Sequence, residues 1–195
     1  MEYLIYHIDK AKEQFGEDKT LSTPKQISLW SKQILLEIIK KKGLKFNFTI
    51  ECTVEGKPFF KFNKELHFSI SHTNQYIAIA LSNKQIGIDI EQERKYKKNL
   101  VERFLHPKEA LILSNLSTLK EKDQAFTKIW TIKESYVKCT GTGIANNFKV
   151  FYINPFTTPI QIKDNKIPVT IHTYFLKEEN LFLSLCQEKE EISQL

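Results

Sequence analysis

The segment from Ile86 to Glu91 has the sequence Ile-Gly-Ile-Asp-Ile-Glu, and its strict alternation constrains the fold more than any other feature. Successive residues of a β-strand point to opposite faces, so the three isoleucines predict one buried face. Gly87, Asp89 and Glu91 share the other face, with the two acidic Cα atoms about 7 Å apart. Two carboxylates on one face repel each other, and a divalent cation would relieve that repulsion while Gly87 leaves room for a ligand. The alternative is an amphipathic edge strand with a solvated acidic face.

Helical and strand periodicities alternate irregularly along the rest of the chain. Helices are predicted over 24–42, 107–116 and 121–139, and further strands over 46–54, 66–71, 76–81, 148–153, 168–175 and 181–186. A helix followed by strands thus occurs twice, before and after about residue 85. Because strands follow one another without a helix after each, we predict an α+β fold with antiparallel sheets.

Charge and cysteine content limit the partners and the kind of metal site. The chain has 29 basic and 23 acidic side chains, which favours an acidic partner such as nucleic acid, a polyphosphate, an acidic protein or a membrane surface. Its 3 cysteines are widely separated and fit reduced thiols better than a disulfide framework or a zinc site. Any metal would therefore be bound by oxygen. No apolar run could span a bilayer and no signal peptide is recognisable, so we expect a cytoplasmic protein.

Two other segments carry side chains suited to phosphate or metal chemistry. Trp130, Glu134 and Lys138 are spaced four residues apart and share one stripe of a predicted helix. Glu134 could supply a third oxygen ligand or a general base, and Lys138 a phosphate contact. Ser71 and His72 lie at the end of a predicted strand, where a hydroxyl and an imidazole could bind a phosphate oxygen. A surface Glu–Lys pair and an ordinary turn histidine are the alternatives.

Four motifs occur in a fixed order: Gly-Lys-Pro at 56–58, Phe-Ser-Ile-Ser-His-Thr at 68–73, Ile-Gly-Ile-Asp-Ile-Glu at 86–91, and Trp-Thr-Ile-Lys-Glu-Ser-Tyr-Val-Lys-Cys-Thr-Gly-Thr-Gly at 130–143. In order and spacing they resemble the 4′-phosphopantetheinyl transferase superfamily, in its larger, single-chain type that activates surfactin synthetase and similar peptide synthetases. The segment from Phe104 to Glu109 resembles a further family element. The first 55 residues match the family poorly.

The resemblance implies a fold of two similar lobes in one chain, related by a pseudo-two-fold axis, each with a helix packed on a mostly antiparallel sheet. The active site would lie between them. Residues 1–85 would form the lobe that contacts coenzyme A, and residues 86–195 the lobe with the metal site and the carrier-protein contacts. One chain that holds both lobes is expected to be a monomer.

The resemblance also implies a reaction. The 4′-phosphopantetheine group of coenzyme A would pass to a serine of an apo acyl or peptidyl carrier protein, releasing adenosine 3′,5′-bisphosphate. Magnesium, or manganese in its place, would be held by Asp89, Glu91 and Glu134. Glu134 or a metal-bound water would accept the serine proton, and Lys138 would neutralise the phosphates. Coenzyme A would be held by Lys57, Ser71, His72 and Lys138, with the backbone of Gly56, Lys57 and Pro58 against adenine. Glu109 and Lys133 are further candidates.

The partner is expected to be an acidic carrier protein, with no nucleic acid and no membrane involved. A basic stretch after the metal strand is predicted to dock it: Lys95, Lys97, Lys98, Arg103 and Lys108, interleaved with Tyr96, Leu100 and Phe104. A solvated basic face is the alternative. Two competing functions use the same residues: a magnesium-dependent phosphatase or nuclease, and a non-catalytic basic module that binds nucleic acid.

Overall fold

The computed structural model describes residues 1–45, 47–143, 148–163 and 167–189. The helices are α1 (Ile8–Phe15), α2 (Thr23–Lys41), α3 (Lys98–Phe104), α4 (Pro107–Ser114) and α5 (Leu119–Thr140). The strands are β1 (Glu2–His7), β2 (Ile50–Cys52), β3 (Pro58–Phe60), β4 (His67–His72), β5 (Tyr76–Ser82), β6 (Ile86–Gln92), β7 (Tyr152–Ile153), β8 (Ile162–Lys163), β9 (Val169–Leu176) and β10 (Leu181–Glu188). Across these residues, no helix combines the length and the apolar character needed to cross a membrane.

Two antiparallel three-stranded sheets form the centre of the molecule. The first has the order β1-β5-β4 and the second the order β6-β10-β9. In each sheet the strand that comes last in the sequence lies in the middle. β5 lies between β1 and β4, and β10 lies between β6 and β9. This repeated order agrees with two similar lobes, and the α+β class is confirmed. The first sheet uses strands up to residue 82 and the second uses strands from residue 86 onward. We propose the lobe boundary between them, at 85–86; the pseudo-two-fold axis stays a prediction.

The two sheets pack face to face, and each has a long helix on its outer side. On β5, Ile77 and Ile79 face α2, while Ala78 and Ala80 face the second sheet. The alanines share one buried cluster with side chains of β6 and β10: Ile86, Ile88, Ile90, Leu181, Leu183 and Leu185. The buried isoleucine face predicted for residues 86–91 is therefore confirmed. Because the isoleucines face the first sheet, the acidic face of β6 faces α5.

Helix α5 lies directly against β6 at Gly87. A Cβ atom at this position would be 1.9 Å from the carbonyl oxygen of Ser135 and 2.5 Å from the backbone nitrogen of Cys139. The space beside Gly87 is thus filled by the helix, and the expectation that it admits a ligand was wrong. The close approach brings the acidic face of β6 within reach of the side chains of α5.

Local signals define the ends of α5. Thr118 and Glu121 form a reciprocal capping box at its start. Gly141, with a φ of 71°, ends it in the left-handed conformation that glycine adopts without steric cost. The helix of 22 residues places Trp130, Glu134 and Lys138 on the predicted stripe.

Several sequence expectations about secondary structure were wrong. The predicted strand 46–54 is reduced to Ile50–Cys52, which pairs with the short strand Pro58–Phe60, and Phe46 lies outside the described residues. The predicted strand 148–153 is reduced to Tyr152–Ile153. β1, α1 and α3 were not predicted. β1 has no clear alternation of polar and apolar residues, and its place in the sheet depends on pairing with β5, a distant segment.

Candidate active site

Asp89 lies at the centre of the site and is only 3% exposed. Its Oδ1 atom accepts hydrogen bonds from the hydroxyl of Ser71, at 2.8 Å, and from Nζ of Lys138, at 2.7 Å. Its Oδ2 atom is buried and has no hydrogen-bond partner among the described residues. A buried carboxylate oxygen without a partner is costly, because it has lost its water without compensation. Asp89 therefore has the capacity to bind a further cation.

Glu134 reaches the same region from α5 and is 7% exposed. Burial raises the pKa of its carboxyl to about 7, and the nearby charge of Asp89 contributes to the rise, while the Lys138 ammonium opposes it. Lys138 forms its ion pair with Asp89 on β6 and does not take Glu134 as a surface partner. Glu134 is thus partly protonated at neutral pH beside a second carboxylate.

Glu91, two residues after Asp89, is the third carboxylate of the group. Burial and the charge of Asp89 raise the pKa of its carboxyl, and Arg94 opposes this by pairing with it directly. The guanidinium of Arg94 also lies over the ring of Trp130, at 4.9 Å from the centroid. The structure thus brings a strand pair of carboxylates and a helix carboxylate into mutual electrostatic range.

The chemistry and arrangement of these side chains determine whether they could bind a divalent metal ion. Among the residues the structure describes, no three His, Cys, Asp or Glu side chains are arranged to hold a metal ion as they stand. Lys138 and Arg94 instead contact Asp89 and Glu91. The donor set nevertheless consists of carboxylate oxygens, which magnesium prefers. The Oδ2 of Asp89 has no partner among the described residues, and burial together with the charge of Asp89 raises the pKa of Glu134. A bound cation would relieve both, so the residues fit such an ion.

A cleft of about 240 Å³ lies beside this group, between the two lobes. One wall comes from the first lobe and includes Gly56, Lys57, Pro58 and Ser69. The other wall comes from the end of α5 and includes Val137, Lys138, Gly141 and Gly143. Lys138 thus lines the cleft while its ammonium contacts Asp89. The Gly-Lys-Pro motif and the Gly-Thr-Gly motif, which lie far apart in the sequence, meet here.

Lys57 connects the lobes across this cleft. Its Nζ donates to the carbonyl oxygen of Cys139 and to Oε1 of Gln85, each at 2.6 Å. The ammonium thereby caps the carboxyl end of α5, where helix carbonyls carry partial negative charge. Burial lowers the pKa of Lys57. These contacts use two of the three N–H groups of the ammonium, so a phosphate oxygen, as the family resemblance implies, could accept from the third.

Two serines of β4 form hydrogen bonds with the backbone of β6, the edge strand of the second sheet. The hydroxyl of Ser69 accepts from the backbone nitrogen of Ile88 at 3.1 Å, and that of Ser71 accepts from Ile90 at 3.3 Å. Ser71 also donates to Asp89, and because a hydroxyl has one proton, it cannot donate to a phosphate at the same time. His72 follows at the strand end, where partial burial and the Lys138 ammonium lower the pKa of its imidazole.

Glu109 and Lys133 form an ion pair, Oε1 to Nζ 2.9 Å, and both side chains are 0% exposed. Lys133 also donates to the carbonyl oxygens of Phe148, at 2.5 Å, and Phe151, at 2.7 Å. Glu109 accepts from the backbone nitrogen of Ile153. Burial lowers the pKa of Lys133 to about 8 and raises that of Glu109. These contacts fasten the segment 148–153 to α4 and α5, so the pair has a structural role.

The basic stretch after β6 separates into two faces. Its charged residues are exposed: Lys95, Lys97, Lys98, Arg103 and Lys108. The interleaved residues Tyr96, Leu100 and Phe104 are partly buried and pack against the core around α5. The interleaved apolar side chains therefore support the fold, and the basic residues form the accessible surface.

Sequence reasoning missed three residues that contact the site: Arg94, Ser69 and Gln85. Arg94 lies three residues after Glu91, and its position close to a predicted carboxylate ligand was a usable signal. Ser69 and Gln85 act through contacts with backbone or with Lys57 that become visible only when the two lobes are placed together.

Comparisons with known proteins identify the family to which the chain belongs. Residues 85–186, more than half of the chain, match the family model of the 4′-phosphopantetheinyl transferase superfamily, so the chain belongs to this superfamily. It is 37% identical over 119 residues to the 4′-phosphopantetheinyl transferase gsp of Aneurinibacillus migulanus, covering 60% of this chain and 49% of that protein. It is 31% identical over 125 residues to the 4′-phosphopantetheinyl transferase Sfp of Bacillus subtilis (strain 168), covering 61% and 54%.

The predicted family is confirmed. The chain spans about half the length of the curated relatives it matches. Among solved structures, the holo-[acyl-carrier-protein] synthase (AcpS) of Thermotoga maritima aligns with a TM-score of 0.45 and 15% identity, covering 55% of this chain and 64% of that one.

Proposed function

We propose that this protein transfers the 4′-phosphopantetheine group of coenzyme A to a serine of an apo acyl or peptidyl carrier protein, releasing adenosine 3′,5′-bisphosphate. The observation that supports this most is the meeting of Asp89, Glu91 and Glu134 next to the cleft that Lys138 and the Gly-Lys-Pro motif line. Attack on a diphosphate requires charge neutralisation and positioning, and this arrangement supplies residues for both. Membership of the superfamily points to the same chemistry.

A divalent cation, magnesium or manganese, would be held by Asp89, Glu91 and Glu134. When bound, it would neutralise charge on the diphosphate oxygens. The support for this comes from the unpartnered Oδ2 of Asp89 and from the raised pKa of Glu134, since both are relieved by added positive charge. Asp89 is the residue on which the group depends most, because it is the most deeply buried of the three.

Glu134 would accept the proton of the attacking serine. In the metal-free protein, burial raises the pKa of Glu134 to about 7. A bound cation would lower this pKa and keep the carboxylate in the ionised form that can accept a proton. A carboxylate has two oxygens, so a metal contact and proton acceptance are compatible. The serine oxygen forms a bond to the phosphorus next to pantetheine, and the bond from that phosphorus to the bridging oxygen breaks. The electron pair leaves with adenosine 3′,5′-bisphosphate, and Lys138 would stabilise the growing negative charge.

Coenzyme A would bind in the cleft between the lobes, with its adenine against Gly56, Lys57 and Pro58. Lys57, Lys138 and His72 are the cationic or hydrogen-bonding groups proposed for its phosphates. Ser71 would take part only as an acceptor, because its proton is used by Asp89. The cleft of about 240 Å³ suits part of such a ligand, with the remainder extending into solvent or along the lobe boundary.

The carrier protein would dock on the exposed basic residues at 95, 97, 98, 103 and 108, through an acidic surface around its serine. Reversing three of these charges is expected to raise KM for the carrier and to leave KM for coenzyme A unchanged. A matched control reverses three exposed lysines of the other lobe, Lys25, Lys32 and Lys45. If the control raises KM for the carrier equally, the carrier responds to the net charge of the protein and does not dock at this particular surface.

The test of the reaction is to incubate the protein with coenzyme A, magnesium and a panel of apo carrier proteins, and to measure intact carrier masses. One added phosphopantetheine group, absent with an Asp89→Ala variant that keeps the wild-type melting temperature, is the expected result. Release of free phosphate without carrier modification would instead indicate a phosphatase. Salt-dependent binding to DNA without coenzyme A binding would indicate a nucleic-acid-binding module.

We also propose a cytoplasmic, monomeric protein. Cys52, Cys139 and Cys186 are all free thiols, which suits a reducing compartment. Both walls of the cleft come from one chain, so a second copy is not needed to complete the site. Light scattering at assay concentration tests the oligomeric state.

A further inference from the structure

Arg94 contacts three separate parts of the site. Its backbone nitrogen donates to the hydroxyl of Thr127 at 2.9 Å. Its guanidinium lies 4.9 Å from the ring centroid of Trp130 and donates from Nη2 to the carboxylate of Glu91. Thr127 and Trp130 are on α5, about two turns and one turn before Glu134. Arg94 thus links the strand that carries Glu91 to the helix that carries Glu134.

We propose that Arg94 is a positioning residue that fixes the Glu91 carboxylate for the divalent cation, with Trp130 as the platform that fixes Arg94. The proposal rests on the proposed function, because it assumes that Glu91 is a cation ligand. It also gives a role to the tryptophan of the Trp-x-x-Lys-Glu motif. The ring of Trp130 orients an arginine, in addition to packing beside Phe104 and Phe148.

The geometry of an arginine is suited to this role. A planar guanidinium can stack on an aromatic ring and still present N–H groups at its edge to a carboxylate. Glutamate has several rotatable bonds, so a ligand glutamate that is already oriented loses less conformational entropy when a cation binds. A lysine at this position would supply the charge without the planar edge.

The backbone around Arg94 is held as firmly as the side chain. Glu93 pairs with Lys120 of α5 at 2.7 Å, and the backbone nitrogen of Tyr96 donates to Oδ1 of Asp123 at 2.6 Å. The loop after β6 is therefore fastened along the first half of α5. The side chain of Arg94 is 41% exposed and that of Glu91 is 18% exposed, so water screens the ion pair from the arginine side and its contribution to folding stability is modest. Its effect should appear in cation binding and leave the melting temperature nearly unchanged.

The test is calorimetric titration of Mg²⁺ into the full chain with saturating coenzyme A. Arg94→Met is expected to raise the dissociation constant of Mg²⁺ by about 10- to 100-fold, the range typical of residues that orient metal ligands. Arg94→Lys should recover part of the affinity, because its ammonium can still donate to Glu91. Lys61→Met is the matched control, since Lys61 also lies over a ring, 5.7 Å from the centroid of Phe62, and pairs with a glutamate, Glu51, at 2.6 Å. It should leave the Mg²⁺ affinity unchanged.

A double-mutant cycle shows whether Arg94 acts through Glu91. In a Glu91→Gln background, Arg94→Met should cause no further loss of affinity. If Arg94→Met binds Mg²⁺ as the wild type does, or weakens it equally with and without Glu91, the inference is wrong while the proposed function stands. If Arg94→Lys equals the wild type, a single N–H donor to Glu91 is sufficient, and the proposed role of the planar guanidinium and of Trp130 is wrong. If the wild type binds no Mg²⁺, both the inference and the proposed cation site fail.

Discussion

Replacing Glu134 by glutamine should stabilise the metal-free protein at neutral and alkaline pH. The pKa of Glu134 rises from its ordinary value of 4.5 to about 7 on folding, because the folded protein buries the carboxyl beside Asp89. Between pH 4.5 and pH 7 the folded state therefore holds a proton that the unfolded state has lost. The free energy of unfolding of the wild type falls as pH rises through this window. Glutamine has nearly the same shape and never ionises, so its variant escapes this loss.

The magnitude follows from the two pKa values. A difference of one pKa unit corresponds to about 1.4 kcal/mol, so a rise from 4.5 to about 7 corresponds to about 3 kcal/mol at most. The variant should match the wild type near about pH 4 and exceed it by up to about 3 kcal/mol at about pH 8. Adding Mg²⁺ at the alkaline end should reduce the difference, because a bound cation stabilises the ionised form of Glu134 in the wild type.

Urea unfolding in the presence of a chelator, from about pH 4 to about pH 8, measures this difference directly. The control is Glu178→Gln, a change of the same chemistry at an exposed position in the turn between β9 and β10, which should show no such pH-dependent gain. A difference in the free energy of unfolding between Glu134→Gln and wild type that stays constant across this pH range would refute the claim that folding raises the pKa of Glu134.

Three further changes test other parts of the structure. Ser71→Ala and Ser69→Ala should each lower the free energy of unfolding in urea by about 1–2 kcal/mol, because each leaves a backbone N–H of β6 without its acceptor. Only Ser71→Ala should also weaken Mg²⁺ binding, because Ser71 donates to Asp89. Equal Mg²⁺ affinities in the two variants would show that Ser71 does not orient Asp89. Gly87→Ala should lower stability by more than about 3 kcal/mol, since its Cβ would be 1.9 Å from a helix carbonyl, and a melting temperature close to wild type would contradict the close packing of α5 on β6. Lys133→Met should lower the free energy of unfolding by about 3–5 kcal/mol, because it leaves the Glu109 carboxylate buried and unpaired. Removing both charges together should lower it by less. Additive losses in the double variant would argue against a coupled pair.

The local part of the site could be predicted from sequence because it depends on short-range periodicity. Alternation over residues 86–91 separated the isoleucine face of β6, which joins the core between the sheets, from its acidic face. The four-residue spacing of Trp130, Glu134 and Lys138 placed them on one stripe of α5. The order of the motifs then identified the family, which the family model confirms.

What could not be predicted depends on distances between segments far apart in the chain. Residue spacing cannot reveal that Lys138 pairs with Asp89 in preference to Glu134, since the choice depends on how α5 crosses β6. The same crossing explains why α5 fills the space beside Gly87, where a ligand was expected to bind. β1 was missed because a short edge strand is specified mainly by the strand with which it pairs.

The most direct measurement of the proposed cation site uses Mn²⁺ in place of Mg²⁺ and detects the magnetic coupling between the bound ion and the phosphorus nuclei of coenzyme A. We expect one Mn²⁺ per protein molecule, phosphorus couplings that appear only when coenzyme A is present, and loss of both in Asp89→Ala. Mn²⁺ that binds without phosphorus coupling, or that binds equally well after Asp89→Ala, would mean that Asp89, Glu91 and Glu134 do not gather a cation beside the diphosphate.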